Sequence, residues 1–412
     1  MAARIALLSV HTSPLAALGQ RETGGMNVYV RELARELGAR GFAVDVFTRR
    51  TSPEAPRVVS PATNVRVIHV DCGPPGFIEK EDLYPHLREF TREVERFAVP
   101  DMEIPFAGAP YDLVHSHYWL SGAVGLELAA RWRVPHVAMF HTLGEVKNRA
   151  RRTEREPEVR IETERRIARS ADRIVVASQH ESNLLTRLYD APSNRIAVEP
   201  LGVDLDVFQP VKREEARHIL GLPDGPIILF VGRIEPLKGL DLLVKALGEL
   251  DGPFTLMVVG GDDRASGVLS EIRLQAGELG IERQIEFVGS VQHDRLPLYY
   301  SAADVCVVPS YYESFGLVAV EAMACGIPVV ASRVGGLTST VRDGVTGYLI
   351  PWRCPEPFTE RLETLLANGE LRANLGMAAR TAAQQFGWAR VGEGIANLYR
   401  SLLAPQEVAH PA

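Results

Sequence analysis

Short β-branched runs alternate with helix-length amphipathic stretches along the whole 412-residue chain, and little else about it constrains the fold so strongly. Such alternation implies parallel sheets covered by helices on both faces. The first half places strands at about 4–10, 43–48, 64–70, 112–116, 135–140, 173–177 and 195–198, with helices near 24–40, 82–97, 119–131, 158–170 and 179–190. The second half places strands at about 227–231, 254–260, 285–289, 304–308, 327–331 and 347–350, with helices near 239–250, 267–280, 293–302, 317–325, 355–368, 371–385 and 389–403. A chain of this length exceeds one ordinary core. Two prolines and a glycine in Glu199-Pro200-Leu201-Gly202 through Pro210 break regular structure, which sets a hinge at about 200–210. The expected architecture is α/β: two doubly wound domains, 1–203 and 204–387, with the last helix (388–412) crossing back to the first.

Composition narrows the partners. With a net charge of −7, the chain is a poor general binder of nucleic acid or anionic membranes. No apolar run approaches a membrane span of roughly 20 residues. Ile5 to Val10 is too short for a signal-peptide core and ends at His11, so it reads as a first strand of a cytoplasmic protein. Cys72, Cys306, Cys325 and Cys354 lack metal or disulfide spacing, and Cys306 and Cys325 read as small core residues. Lysine is rare, at Lys80, Lys147, Lys212, Lys238 and Lys245, which singles out Lys80 and Lys238 as point charges kept where arginine would be the habit.

The densest motif is Ser310-Tyr311-Tyr312-Glu313-Ser314-Phe315-Gly316-Leu317 leading to Glu321. Two carboxylates bracket a loop that opens a helix. Gly316 permits close backbone approach, and the helix start aims free N–H groups at phosphate. Glu321 can accept from ribose hydroxyls while Glu313 faces the sugar, so the set suggests a sugar nucleotide; the bland alternative is a loop with two solvated glutamates. Arg233 follows another strand and Lys238 begins the next helix, so both cations can meet one diphosphate. In isolation they also fit surface charges at a βα turn.

In the first half Gly24-Gly25-Met26-Asn27 opens a helix but is not GxGxxG, so a nicotinamide site is poorly supported. His115-Ser116-His117-Tyr118 and His141-Thr142 end two further strands and line the same crevice. A metal held by the HxH pair lacks a spaced third ligand. The basic stretch from Lys147 to Arg173 reads mostly as a solvated helix with i,i+4 ion pairs, with one or two arginines turned inward. Asp204-Leu205-Asp206 is a DxD, but in the linker it reads as turn capping.

Taken together, Gly24-Gly25-Met26-Asn27-Val28-Tyr29-Val30, His115-x-His117-Tyr118-Trp119, Val231-Gly232-Arg233 with Lys238-Gly239, and Glu313-Ser314-Phe315-Gly316 with Glu321-Ala322 resemble the retaining glycosyltransferases of family 4, over essentially the full length. The resemblance implies the GT-B fold, two Rossmann-like domains facing across a cleft. It implies that Arg233 and Lys238 hold the diphosphate of a UDP-sugar, Glu321 the ribose, and Glu313 with the Phe315 and Gly316 amides the donor hexose. Ser314, Leu317, Gly24 and Gly25 would complete the donor contacts, and His117 would lie near the reacting sugar. His11-Thr12-Ser13 and the His141-Thr142-Leu143 to Asn148 run are similar to the branch with phosphorylated acceptors, the mycothiol-pathway N-acetylglucosaminyl-inositol-phosphate transferases and bacterial sucrose-phosphate synthases. By that likeness Asn27, Lys80, Tyr118, His141, Thr142 and Arg160 meet the acceptor, with Arg152 and Arg155 competing for the role of Arg160. The segment around Gly19 to Thr23 departs from the mycothiol pattern. The expected reaction is metal-independent hexosyl transfer, of glucose or N-acetylglucosamine, from a UDP-sugar to a hydroxyl of a phosphorylated sugar or polyol, with no cofactor. A homodimer is left open. The rival readings are a sugar-nucleotide epimerase or hydrolase working without an acceptor, and a noncatalytic sensor.

Overall fold

The computed structural model describes residues 2–16, 25–98, 109–150, 155–261, 266–351 and 354–404. The chain divides into two compact units. One comprises Met1–Ala177, Glu181–Pro200 and Trp388–Ala412; the other comprises Ser178–His180 and Leu201–Gly387.

Unit 1 carries an eight-stranded sheet: β1 (Arg4–Leu8), β2 (Ala43–Arg49), β3 (Val58–Ala62), β4 (Val65–Val70), β5 (Leu113–His117), β6 (His136–Met139), β7 (Arg173–Val176) and β8 (Ile196–Val198). Their order is β3-β4-β2-β1-β5-β6-β7-β8. The chain winds outward from β1 to β2 and β4, then returns to place β5 on the other side of β1. That reversal opens a crevice beyond the carboxyl ends of β1 and β5. Strand β1 is solvent-free from Ile5 to Leu8, as a central parallel strand covered on both faces must be.

Unit 2 repeats the scheme with six parallel strands: β9 (Ile227–Val231), β10 (Thr255–Val259), β11 (Ile285–Gly289), β12 (Val305–Val308), β13 (Val329–Ser332) and β14 (Gly347–Ile350), ordered β11-β10-β9-β12-β13-β14. Its reversal falls between β9 and β12. Cys306 and Cys325 are buried in it.

Helix Trp388–Leu403 belongs to unit 1 and lies on helix Gly25–Ala39. A Cβ at Gly392 would sit 2.7 Å from Glu36 Cβ, so glycine sets how closely the two helices approach. Arg40 donates to Ala389 O and to Glu393, 3.0 Å away, and Tyr29 meets Trp388 edge-on at 5.5 Å.

Three features depart from the sequence expectation. Strand β3 is an antiparallel edge strand absent from the expected set; Pro61 hides it, and an edge tolerates the missing donor. The expected helix 82–97 is a 3₁₀ segment, Lys80–His86, followed by helix Leu87–Ala98, because Pro85 interrupts the α-helical ladder. Helices Gly144–Ala150, Arg213–Leu220 and Leu337–Thr340 were also not expected. The DxD performs turn chemistry: Asp204 Oδ1 accepts from the amides of Asp206 and Val207 at 3.0 and 3.2 Å. Among the described residues no helix is long and apolar enough to cross a membrane.

Candidate active site

In unit 2 the chain leaves β9 through Gly232, whose φ of 152° suits only glycine, and passes Arg233 before a 3₁₀ turn, Pro236–Lys238. Gly239 follows at φ 70°, and a Cβ there would fall 2.1 Å from Pro309 O. The turn is thereby pressed against the end of β12, and Tyr311 N donates to Leu237 O at 2.9 Å. This contact joins the two sides of the reversal. Lys238 Nζ donates to Glu313 Oε2 at 2.7 Å, with both side chains mostly buried.

Gly316, at φ 94°, caps helix Leu317–Ala324, whose first turn has no side-chain cap. Ser314, Phe315, Gly316 and Leu317 thus form a continuous approach to uncapped amides. Glu321 lies one turn inside. Its Oε2 accepts from the Tyr300 hydroxyl at 2.8 Å, and its Oε1 lies 3.3 Å from His293 Nε2. The Tyr300 hydroxyl is held well above its ordinary pKa by burial first and then by the Glu321 charge, so it stays a donor. Arg233 is different. Its side chain is 80% exposed and ion-paired to Glu235 at 3.1 Å, so in this structure it does not share a partner with Lys238.

Tyr300, His293, Gly335 and Gly336 were not singled out from the sequence. The glycines hold the Glu313 loop: Gly336 N donates to Glu313 O at 2.9 Å, and a Cβ on Gly336 would meet Ser314 O at 2.2 Å. Their signal was present as a glycine pair after a strand, the same pattern read at Gly24-Gly25. Nothing local marks Tyr300, which reaches Glu321 across helices.

In unit 1 the residues after β1, β5 and β6 gather at the other reversal. Tyr118 and His141 both have left-handed backbones, with φ 77° and 59°, an uncommon state for such side chains. Arg160 is 1% exposed and reaches Tyr118 and Thr142 from helix Glu158–Ser170. It donates to Tyr118 Oη at 3.0 Å and to Thr142 O and Oγ1 at 3.0 and 3.1 Å. It also donates to Glu156 and Glu164, both at 2.7 Å. All five guanidinium N–H groups thus have protein acceptors. Lys80 lies close enough to act electrostatically on His11 and Tyr118, and its ammonium is 3.7 Å from Glu81. Asn27 is buried and donates to Thr12 and, at 2.7 Å, to Ser13 O, so its amide shapes the loop after β1.

His117 Nδ1 and His141 Nε2 are 3.0 Å apart, and His117 Nε2 is buried without a protein partner. His115 lies 2.6 Å from the Tyr399 hydroxyl. Burial pushes His11, His115, His136 and His141 down to about 3, and His117 well below its ordinary value, so all five are neutral. Gly25 is the first residue of its helix; Gly24 and Arg152 lie outside the described residues.

Comparison with known proteins gives this arrangement a family. Residues 23–207 match the model described as Glycosyltransferase Family 4, and residues 212–382 match Glycosyl transferases group 1. A D-inositol 3-phosphate glycosyltransferase of Nocardiopsis dassonvillei is 43% identical, covering 98% of this chain and 95% of that one. The sucrose-phosphate synthase of Thermosynechococcus elongatus superposes with a TM-score of 0.87 at 37% identity, covering 98% and 99% of the two chains. HepE of Anabaena, solved with UDP and glucose, shares the fold at a TM-score of 0.75 and 20% identity, covering 97% and 100%. The protein belongs to the family 4 glycosyltransferases of the GT-B fold, and it is a glycosyltransferase.

Proposed function

We propose that the protein moves glucose or N-acetylglucosamine from a UDP-sugar to a hydroxyl of a phosphorylated sugar or polyol, retaining the anomeric configuration. The observation that carries this reading is the buried Arg160 held against Tyr118 and Thr142, with Lys80 acting on the same Tyr118: two cations directed at the residues that follow the strands of unit 1 suit an acceptor that brings its own anion. The names of the relatives agree with it, since inositol 3-phosphate and sucrose-phosphate both carry a phosphoryl group.

In this reading unit 2 holds the donor. Lys238 and Arg233 bind the diphosphate, Arg233 leaving a surface ion pair that costs little to break. Glu321, fixed by Tyr300, accepts from the ribose. Glu313 and the amides of Phe315 and Gly316 hold the hexose. His117 offers its unpartnered Nε2 to the reacting sugar. As the C1–oxygen bond to the diphosphate breaks, the acceptor oxygen bonds to C1 on the same face. The acceptor's proton passes to the departing phosphate oxygen. Lys238, Arg233 and the helix-end amides stabilise the charge that develops there, the task a metal performs in other transferases. The test is a screen of UDP-glucose and UDP-N-acetylglucosamine against inositol phosphates and sugar phosphates, scored by product mass, with and without EDTA. Product at the mass of a phosphorylated glycoside, undiminished by EDTA, is expected. Conversion of donor alone at the full rate would instead favour an epimerase or hydrolase.

A further inference from the structure

Glu156 sits where an incoming anion would be wanted. Its carboxylate bridges two cations: Oε2 accepts from Arg160 Nη1 at 2.7 Å and Oε1 from Lys147 Nζ at 3.0 Å. The Arg160 nitrogen that it takes is the one that also donates to Tyr118. The carboxylate is held below its usual pKa by Arg160 and Lys147 despite the opposing effect of burial. Arg160 has no uncommitted N–H, so a phosphate can reach it only by replacing one of its present acceptors.

The two carboxylates on Arg160 are not equivalent. Glu164 is fully buried within its helix and further held by the Tyr189 hydroxyl at 2.7 Å and the Gly144 amide at 2.9 Å. Removing it would strip three partners from a dry site. Glu156 precedes the helix, its side chain keeps 10% exposure, and its amide donates to Asn148 Oδ1 at 2.7 Å. Of the two carboxylates, Glu156 is therefore the one that can leave.

We propose that Glu156 is an internal counter-anion occupying the phosphate seat, and that the phosphorylated acceptor binds by exchanging with it. This deepens the acceptor reading above and rests on it. A phosphate dianion brings more charge and more acceptor oxygens than one carboxylate, so it can win the exchange. A neutral polyol cannot, and water is kept from a naked arginine when no acceptor is present. Glu156 would thus set selectivity for phosphorylated acceptors without touching them.

The experiment compares the wild type, Glu156→Gln and Glu156→Asp in steady-state transfer, with acceptor KM, donor KM, kcat and inhibition by inorganic phosphate as readouts. In Glu156→Gln the competing charge is gone, so acceptor KM and phosphate Ki should both fall about two- to fivefold, with donor KM unchanged. Glu156→Asp should move both in the same direction by less. An unchanged or higher acceptor KM in Glu156→Gln, with unchanged phosphate Ki, overturns the proposal and leaves Glu156 an ordinary structural ion pair. Loss of folded protein in both variants overturns it equally. If the wild type uses no phosphorylated acceptor and is not inhibited by phosphate, the acceptor reading itself has failed.

Discussion

Lys238→Ala separates a structural ion pair from a donor-binding cation. The Nζ lies 2.7 Å from Glu313 Oε2, with side-chain exposures of 24% and 15%. At that distance the attraction is about 1.5 kcal/mol in a water-like dielectric and several times more in a protein-like one. Most of it is returned as the cost of desolvating both charges, so the net loss of stability should be about 1 kcal/mol. The effect on the donor is separate. A lost charge-assisted contact to the diphosphate is worth about 1.5–3 kcal/mol, or roughly 10- to 150-fold in kcat/KM for the UDP-sugar. The assay is initial rate against UDP-sugar at saturating acceptor, with thermal unfolding run in parallel. Glu313→Ala breaks the same pair and should cost similar stability while leaving the diphosphate cation in place. If Lys238→Ala unfolds earlier but keeps wild-type donor kinetics, Lys238 serves the fold and the donor assignment is wrong.

Other consequences follow from the same geometry. Tyr300→Phe removes the hydrogen bond that fixes Glu321 Oε2 and should raise donor KM about 10-fold with acceptor KM unchanged, measured by varying each substrate in turn; equal effects on both would refute the positioning role. Gly336→Ala has a permissible φ of −68°, yet its Cβ would press on Ser314 O and Phe315 Cα, so it should displace the Glu313 loop, cost about 1–3 kcal/mol and lower donor kcat/KM, while unchanged unfolding would mean the loop yields freely. Acid should unfold the protein early. His11, His115, His136 and His141 have folded values near 3 against 6.5 unfolded, so the stability they permit is complete above pH 6.5 and is lost as pH falls from there toward 3. Each gives up at most about 1.4 kcal/mol per pH unit. Glu181, raised to about 7 by burial, and Glu164 and Glu199, also raised by burial, have the opposite sign, but the buried histidines, His117 included, outnumber them. Urea midpoints at pH 7.5, 6.5 and 5.5 check this; a midpoint that does not move would show that these histidines are hydrated.

The two sheets and their strand ends were legible because the sequence states the alternation and brackets it with glycine and proline. Strand β3 was not, since Val58-Val59-Ser60-Pro61-Ala62 contains the residue that argues against a strand and only its edge position rescues it. Helix Gly144–Ala150 lacks an apolar period, so nothing local announces it. In the basic stretch, Arg160 is flanked by glutamates at both i−4 and i+4, a spacing that marks it as the arginine able to turn inward with its charge balanced. The i,i+4 pairs were visible, but their burial was not, because ion pairs at that spacing usually face solvent. Tyr300 and His293 were invisible for a different reason: they support Glu321 from other elements, and such contacts have no sequence period.

The central claim is that fixed cations in unit 1 recognise an acceptor's phosphate. The most direct measurement is kcat/KM for a phosphorylated acceptor and for its dephosphorylated counterpart, in the wild type and in Lys80→Ala. The wild type should favour the phosphorylated form by at least about 10-fold, and Lys80→Ala should erase most of that preference while donor KM stays near its original value. Equal use of both acceptors by the wild type, or a preference that survives Lys80→Ala intact, would contradict the account.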